Sequence, residues 1–252
     1  MFKKAILVAF AAVGFGFMAK AQTNLQTFYD FGKDRQYLTT TFEMFKPDKF
    51  GDTFFFIDHY YNPFNKNLSQ KDADGNRKGG AVGGSYFEIE RGLNFWQDSA
   101  WKDFSLHVEY DGSTWGAAIA CVGAKYFFHS EDYTKTFTIE LMYDFHIGLG
   151  EADVPLKITG VWGLSNLFGV EGLTFKGFAD FWGNKVGWDP DPQGNPTSWT
   201  KWSFLSEPQL WYNLGEVFDN HLDIGGEVEL SWNVAGNKGF MCNPCAGLRW
   251  TF

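Results

Sequence analysis

The sequence predicts an all-β fold: a transmembrane antiparallel β-barrel, most simply of twelve strands, with both termini on one side of the membrane. The polar and apolar residues alternate in repeated segments of strand length, a period typical of strands with one apolar face. Aromatic residues make up 19% of the chain, with 28 Phe, 11 Trp and 10 Tyr. After residue 21 no continuous apolar stretch reaches the ~20 residues of a membrane helix. Much aromatic surface without such a helix suits a barrel, whose lipid-facing residues occupy every second position between aromatic girdles.

The first twenty-one residues predict a secretory signal peptide. Lys3 and Lys4 precede an apolar run from Ala5 to Met18, and residues 19–21 read Ala-Lys-Ala, the small-residue pattern of a cleavage site. The apolar run is shorter than the ~20 residues of a spanning helix, which disfavours a retained anchor. We therefore expect residues 1–21 to be removed and residues 22–252 to form one barrel domain in the outer membrane of a Gram-negative bacterium.

Twelve segments, separated by turn residues, have the alternation of a membrane strand. Most approach the ~9 to 11 residues that a tilted strand needs to cross a bilayer. An even number lets the sheet close so that no edge is left unpaired in lipid, although ten or fourteen strands stay open as alternatives. The predicted spans are 24–30, 37–46, 53–61, 81–91, 103–111, 116–127, 135–146, 156–165, 173–182, 201–213, 221–233 and 243–252.

The lengths of the connections predict the orientation of the barrel. Even-numbered connections such as 47–52, 130–134 and 166–172 are short, whereas the odd-numbered 62–80 and 183–200 are long. Short turns of such barrels lie in the periplasm and long loops lie outside. Both termini are therefore expected in the periplasm, with the rather long connection at 92–102 as an exception.

The alternation also assigns the two faces of the strands. A charged residue on the lipid face near mid-membrane costs roughly 2 to 4 kcal/mol, so the charged positions are assigned to the lumen. In the last strand Leu248, Trp250 and Phe252 then face lipid and Arg249 faces inward. The same rule sends these residues of the fifth, seventh and eleventh strands to lipid: Phe104, Leu106, Val108, Tyr110, Phe137, Ile139, Leu141, Tyr143, Phe145, Leu222, Ile224, Val228, Leu230 and Trp232.

The resulting lumen is acidic and lined with aromatic rings. Its predicted lining, which is our candidate channel and solute-binding set, is Glu43, Phe54, Phe56, Asp58, Tyr86, Glu88, Glu90, Glu109, Lys176, Phe178, Trp182, Trp211, Glu227, Glu229 and Arg249; Lys125, Lys157, Lys201, Asp180 and Glu207 also point inward. Such charges can fill and rigidify a narrow barrel, or they can bind a polar solute. Rings beside carboxylates favour a solute, because they can stack a nucleobase or sugar while the acids accept its hydrogens.

One hairpin resembles a known family. Residues 37–46 (YLTTTFEMFK), the turn 47–52 (PDKFGD) and residues 53–59 (TFFFIDH) resemble the early hairpin of nucleoside-specific channel-forming outer-membrane proteins of the Tsx type. That resemblance implies twelve strands, a channel lined by Glu43, Phe54, Phe56 and Asp58, and passive, selective diffusion of nucleosides or similar small polar solutes. In outer-membrane barrels of this class a terminal aromatic such as Phe252 is part of the signal read by the barrel-assembly machinery.

The expected partners are therefore outer-membrane lipid, that assembly machinery and a nucleoside-like solute, with the barrel acting as a monomer. The formal net charge of −9 argues against nucleic acid, which needs a basic face.

Two other functions stay open beside the channel. A structural or adhesin-type barrel would have a filled lumen. A lipid hydrolase of the outer membrane would need a Ser and a His on the lipid-facing surface near the outer rim, and His59 and Ser85 are the candidates. The nucleophile and base of such an enzyme must meet within hydrogen-bond reach, which no motif here demonstrates, so we predict no enzymatic activity.

The cysteines and one acidic segment complete the predictions. Cys242 and Cys245 form a CxxC in an oxidising compartment, where a disulfide is expected; Cys121 is left as a free, inward thiol. Residues 72–76 begin like a calcium loop, but Arg77 stands where that motif needs Gly, and Gly83 where it needs Glu. We expect neither a metal nor a cofactor.

Overall fold

The computed structural model describes residues 21–32, 35–61, 70–71, 77–78, 82–114, 116, 118–148, 150–234 and 237–252. The predicted signal peptide, apart from Ala21, and the acidic segment 72–76 lie outside the described residues. Within the described part of the chain, no helix is long and apolar enough to span a membrane.

Twelve long strands follow one another along the chain. They are β1 Gln22–Asp30, β2 Leu38–Asp48, β3 Gly51–Tyr61, β4 Val82–Leu93, β5 Phe104–Ser113, β6 Ala118–His129, β7 Lys135–Ile147, β8 Leu156–Ser165, β9 Leu173–Pro190, β10 in two parts (Pro196–Ser206 and Gln209–Asn213), β11 Leu222–Trp232 and β12 Phe240–Thr251. Two 3-10 turns, Leu167–Gly169 and Gly215–Phe218, lie in connections. The two-residue strands Gln70–Lys71 and Arg77–Lys78 pair with each other between β3 and β4.

The sheet is closed. Each strand pairs antiparallel with the strands before and after it in the chain, and β12 pairs with β1 over a register that runs from Asn24↔Thr251 to Asp30↔Cys245. Closure gives each backbone N–H and C=O in the wall a neighbouring strand to bond, which is what a membrane interior requires. The prediction of a closed twelve-stranded antiparallel barrel is therefore confirmed.

The two ends of the barrel differ. Both termini and the connections 49–50, 94–103, 130–134, 166–172 and 214–221 lie at one end, which we call the terminal end. The ends of β1, β3, β5, β7, β9 and β11, with the starts of the strands that follow them, lie at the other, which we call the loop end.

The predicted loop at 183–200 is mostly strand, and that prediction was wrong. β9 and β10 continue as a hairpin past the predicted strand ends, with Gly187 paired to Trp199 and Pro190 to Pro196, after a register shift between Gly183 and Val186. The actual turn is 191–195, where the Asp191 Oδ1 accepts the backbone N–H of Asn195 at 2.8 Å. Alternating Val, Trp and Thr residues on both sides of that turn favour strand, and they outweigh the Gly and Asn residues that suggested a loop.

The tenth strand, predicted as continuous over 201–213, is interrupted at residues 207–208. Pro208 has no N–H to give to a neighbour, so it is tolerated in a strand only at an edge or irregularity. The backbone of Glu207 still donates to Phe178 O at 3.1 Å, and that of Val228 donates to Pro208 O at 3.0 Å. The wall therefore stays closed across the break.

The outer face is apolar, as the alternation predicts. The residues assigned to lipid on β5, β7, β11 and β12 include Leu106, Leu141, Tyr143, Ile224 and Leu248, each 47 to 56% exposed. Exposed aromatic residues cluster towards both ends, with Phe50, Phe95, Trp101 and Phe252 at the terminal end and Phe31, Trp199 and Phe240 at the loop end. This is the arrangement of an apolar band flanked by aromatic girdles.

We predict that Leu141→Arg lowers the free energy of unfolding of the barrel in lipid vesicles by about 2 to 4 kcal/mol, because it places a charge in the apolar band. Leu141 is 56% exposed on β7. Urea titration followed by tryptophan fluorescence measures the change. The matched control is Val217→Arg, in the connection 214–221 and 83% exposed; equal losses in both variants would contradict the assignment of the outer face.

Candidate functional site: the lumen

The lumen contains most of the polar side chains that the fold buries. Buried polar or charged residues recur at every second position, for example His107, Glu109 and Asp111 on β5, and Glu140 and Asp144 on β7. Because successive side chains of a strand point to opposite faces, the apolar exterior and the polar interior are two consequences of one pattern.

Among the described residues, lumen-facing carboxylates far outnumber lumen-facing cations. The carboxylates are Asp30, Glu43, Asp52, Asp58, Glu88, Glu90, Glu109, Asp111, Glu140, Asp144, Asp180, Glu207, Asp223, Glu227 and Glu229; the cations are Arg35, Lys125, Lys157, Lys176 and Arg249. A charge removed from water is costly unless it is paired. The excess negative charge must therefore be balanced by protons, mobile cations or bound solute.

The ion pair between Lys176 and Glu43 crosses the lumen. Lys176 Nζ on β9 lies 3.1 Å from Glu43 Oε1 on β2, and these strands are not neighbours in the ring. Asn24 Nδ2 donates to the same oxygen at 2.9 Å, and Gln26 Nε2 donates to Asn24 Oδ1 at 2.9 Å. The pair therefore joins opposite walls and narrows the passage between them.

Lys157 organises a second group of acids. Its Nζ lies 2.5 Å from Glu109 Oε1, 3.6 Å from Asp180 Oδ2 and 3.8 Å from Asp111 Oδ2. Thr159 Oγ1 donates to Asp180 Oδ1 at 2.7 Å. One ammonium thus serves three buried carboxylates from β5 and β9.

A third group surrounds a fully buried tryptophan near the terminal end. Trp211 is 0% exposed, and the guanidinium of Arg249 lies 4.8 Å from its ring centre, within cation–π range. Arg249 Nε donates to Asp223 Oδ2 at 2.9 Å. Trp211 Nε1 donates to Gln209 Oε1 at 2.9 Å, and Gln209 Nε2 donates to Glu227 Oε2 at 2.8 Å.

A loop-end arginine that the sequence analysis missed reaches into the lumen. Arg35 donates twice to Glu229, at 2.7 and 3.1 Å, and once to Asp30 at 3.0 Å. Although burial opposes the charge of Arg35, the carboxylate of Glu229 and its neighbours hold the arginine pKa above its ordinary value. Burial raises the pKa of the nearby Tyr37 to about 12, so its phenol stays neutral.

The wall formed by β3 and β4 carries an aromatic ladder beside acids. The ring centres of Phe54 and Phe56 are 5.9 Å apart, and those of Phe56 and Tyr86 are 5.7 Å apart. Tyr86 Oη donates to Glu88 Oε2 at 3.2 Å, and Thr41 Oγ1 donates to Asp58 Oδ1 at 2.5 Å. These rings and acids are half-buried, so solvent inside the barrel reaches them. We call Phe54, Phe56, Asp58, Tyr86 and Glu88 the aromatic–acid wall.

The remaining predicted lining residues also face inward. Trp182 pairs with Lys157 and Phe178 lies four residues before it on β9, while Glu90 pairs with Glu109 across β4 and β5. Their solute-binding role stays a prediction. Lys201 differs from expectation, because its side chain is 66% exposed at the loop end, 3.0 Å from Asp153 Oδ2. The extension of β9 and β10 lifts it out of the lumen.

The cysteines are all free. The predicted disulfide between Cys242 and Cys245 is not formed, because residues three apart in a strand point to opposite faces, with Cα atoms roughly 10 Å apart at about 3.3 Å per residue; a disulfide needs less than about 7 Å. Cys121 is buried and inward, as expected, with its Sγ 3.6 Å from both Glu109 Oε1 and Asp144 Oδ1.

The two residues that a hydrolase would need, His59 and Ser85, lie next to each other in the structure. His59 and Ser85 are directly paired across β3 and β4 on the outward face, near the loop end, and His59 Nδ1 lies 2.7 Å from Ser85 Oγ. The backbone N–H of Ser85 donates to Thr114 Oγ1 at 3.0 Å. The sequence could not demonstrate this contact, since it depends on the register between two strands separated by a long connection.

Comparison with known proteins gives a family. A family model described as a domain of unknown function, DUF5020, matches residues 21–252. The chain belongs to this family. No curated protein matches the chain.

Several solved structures share the general form of this DUF5020 chain. The Acinetobacter baumannii outer membrane protein Omp33 is 10% identical with a TM-score of 0.39, over 92% of this chain and 97% of that one. OccK3 (OpdO) of Pseudomonas aeruginosa is 9% identical, TM-score 0.39, over 92% and 95%. OpdK of the same organism with vanillate is 10% identical, TM-score 0.39, over 94% and 100%. Likenesses this distant carry no argument about function.

We predict that Lys157→Met destabilises this DUF5020 barrel by about 3 to 5 kcal/mol, because it leaves Glu109, Asp111 and Asp180 buried without their shared cation. Urea unfolding in lipid vesicles measures the loss. The control Lys201→Met removes an exposed ion pair and is expected to cost less than about 1 kcal/mol. A Lys157 variant as stable as the control would show that the acids are balanced by something other than this lysine.

Proposed function

We propose that the protein is an outer-membrane channel for the passive, selective diffusion of small polar solutes. The observation that carries this proposal is the aromatic–acid wall, which lies inside a closed barrel and is still reached by solvent. The lumen groups around Lys157, Lys176 and Arg35 are held in ion pairs, so the aromatic–acid wall is the surface that we expect a passing solute to meet.

The wall suits a flat, hydrogen-bonding solute. The rings of Phe54, Phe56 and Tyr86 offer apolar faces for stacking, while Asp58 and Glu88 beside them accept hydrogen bonds. Several moderate contacts in series let a solute enter and also leave, as conduction requires. We further propose nucleosides as the solute, because the hairpin at residues 37–59 resembles the early hairpin of the Tsx-type channels.

The route to the membrane follows from the same proposal. A signal peptide at residues 1–21 delivers the chain to the periplasm, the assembly machinery reads the terminal strand that ends in Phe252, and the barrel works as a monomer with both termini in the periplasm. The apolar outer band and the exposed aromatic residues near both ends support insertion into a bilayer.

We predict that the refolded protein conducts ions in planar bilayers and that adenosine blocks this current. Phe56→Ala removes the central ring of the ladder and is expected to raise the half-blocking adenosine concentration at least about fivefold, because one base–aromatic stack contributes about 1 to 3 kcal/mol. The control is Phe145→Ala, a lipid-facing ring on β7 that is 50% exposed.

Three results would each count against one part of this proposal. Folded protein without conductance would favour the structural or adhesin-type barrel with a filled lumen. Conductance without adenosine block would remove the nucleoside preference. An equal loss of block in both phenylalanine variants would remove the aromatic–acid wall as the solute site.

A lipid hydrolase is the second candidate, favoured by one observation. The 2.7 Å contact between His59 Nδ1 and Ser85 Oγ brings a base within reach of a nucleophile on the lipid-facing surface. Among the described contacts, no carboxylate orients His59. A Ser and a His in the aromatic girdle would make the same hydrogen bond without any catalytic role. The channel therefore remains the first proposal.

The hydrolase candidate predicts fatty-acid release from phosphatidylethanolamine vesicles by the refolded barrel, abolished in Ser85→Ala. The serine control is Ser198→Ala, in the exposed β9–β10 hairpin. Release by the wild type that survives in Ser85→Ala, or no release at all, would leave the pair without a catalytic role.

A further inference from the structure

We propose that Glu90, His107, Glu109 and Glu140 form a binding site for one divalent transition-metal ion inside the barrel. This site goes beyond solute passage, because it needs no flow through the lumen. One donor atom from each of the four side chains lies within 4.8 Å of the others.

The donor atoms point towards a common position. His107 Nε2 is 3.4 Å from Glu109 Oε2, 3.7 Å from Glu90 Oε2 and 3.9 Å from Glu140 Oε2. Four ligands placed tetrahedrally at the ~2.0 to 2.1 Å bond lengths of zinc stand roughly 3.3 Å apart. The three distances from His107 Nε2 already approach this spacing, and the carboxylate oxygens, which lie within 4.8 Å of one another, would close in further around such an ion.

The strand register produces this geometry. Glu90 and Glu109 are directly paired across β4 and β5, and His107 precedes Glu109 by two residues, so all three share the lumen face. Between β5 and β7 lies Gly123 of β6, paired with both His107 and Met142. A Cβ at Gly123 would lie 2.0 Å from the Leu141 carbonyl oxygen. Only glycine leaves room for this close approach of β6 to β7, the strand that carries Glu140.

The surroundings of Glu140 give a second observation that favours a cation at this position. It is 3% exposed, and among the described residues none donates a hydrogen bond to it. Its ion-pair partner, His107 Nε2, lies 3.9 Å away, too far for a hydrogen bond. A buried carboxylate without a hydrogen bond is costly, and a bound metal ion would supply the bond and the charge that it lacks.

The neighbouring lysines do not fill this role. Lys157 Nζ forms an ion pair with Glu109 Oε1 at 2.5 Å, whereas the other oxygen, Glu109 Oε2, faces His107. Lys125 Nζ is bonded to Asp52 Oδ1 at 2.6 Å. With three carboxylates around one imidazole, a single positive charge on His107 would leave the cluster negative.

The ligand set selects the class of ion. Three carboxylates alone would suit Ca²⁺ or Mg²⁺, which prefer oxygen ligands. The imidazole nitrogen adds a ligand favoured by first-row transition ions such as Zn²⁺. The site could not be predicted from the sequence, because its ligands come from three strands and match no single motif.

The test is calorimetric titration of tag-free, refolded barrel with Zn²⁺ in detergent containing excess Mg²⁺. We expect one Zn²⁺ per barrel and at least a tenfold loss of affinity in His107→Gln and in Glu140→Gln. The matched control, His146→Gln, replaces another lumen-side histidine that is paired with Ile119, outside the cluster, and is expected to bind Zn²⁺ like the wild type. Heat-modifiable migration on gels verifies that each variant is folded.

Absence of Zn²⁺ binding by folded wild-type protein would overturn the proposal, and so would binding that both cluster variants retain or that His146→Gln loses equally. The readout is independent of conductance. A barrel that binds Zn²⁺ without passing ions would refute the channel and keep the metal site, whereas one that conducts without binding Zn²⁺ would do the reverse.

Discussion

The pairing of β1 with β12 is the interaction on which the rest of the structure depends. Without it, two strands would leave their backbone N–H and C=O groups unbonded, which a bilayer interior does not allow. The register from Asn24↔Thr251 to Asp30↔Cys245 closes the ring and fixes the inward face of both strands. Arg249 is thereby held on the lumen face beside Trp211, while Leu248 and Trp250 meet lipid.

Closure of the barrel also brings many charged side chains together in its interior, where their charges must be balanced. Polar side chains excluded from the lipid face are enclosed together, and the acids among them exceed the cations. Lys157 and Lys176 balance some of these acids, and their ion pairs brace the lumen between non-adjacent strands. The acids that these cations leave unbalanced make the lumen attractive to positive charge. This excess connects the solute passage proposed along the aromatic–acid wall with the metal site proposed around His107.

Much of this organisation could be predicted from the sequence, because alternation is local. The faces of β7 and β11 followed from residues two apart, and Lys157 and Lys176 were assigned inward by the same rule. What could not be predicted depends on contacts between distant strands: the register that joins His59 to Ser85, the reach of Arg35 from a loop to Glu229, and the convergence of His107 and Glu140 across Gly123. The predicted disulfide between Cys242 and Cys245 was wrong because the CxxC spacing was interpreted without the strand that contains it, in which the two side chains point to opposite faces.

The proposed channel requires that the acid-rich lumen is open to cations from one end of the barrel to the other. The most direct measurement is the reversal potential of single barrels in a planar bilayer under a potassium chloride gradient. We expect the reversal potential to have the sign of the potassium equilibrium potential, because acids in the lumen favour cations. Replacement of Glu43, Glu88 and Glu227 together by Gln should move the reversal potential towards zero. Anion selectivity, or no conductance from folded protein, would contradict the claim.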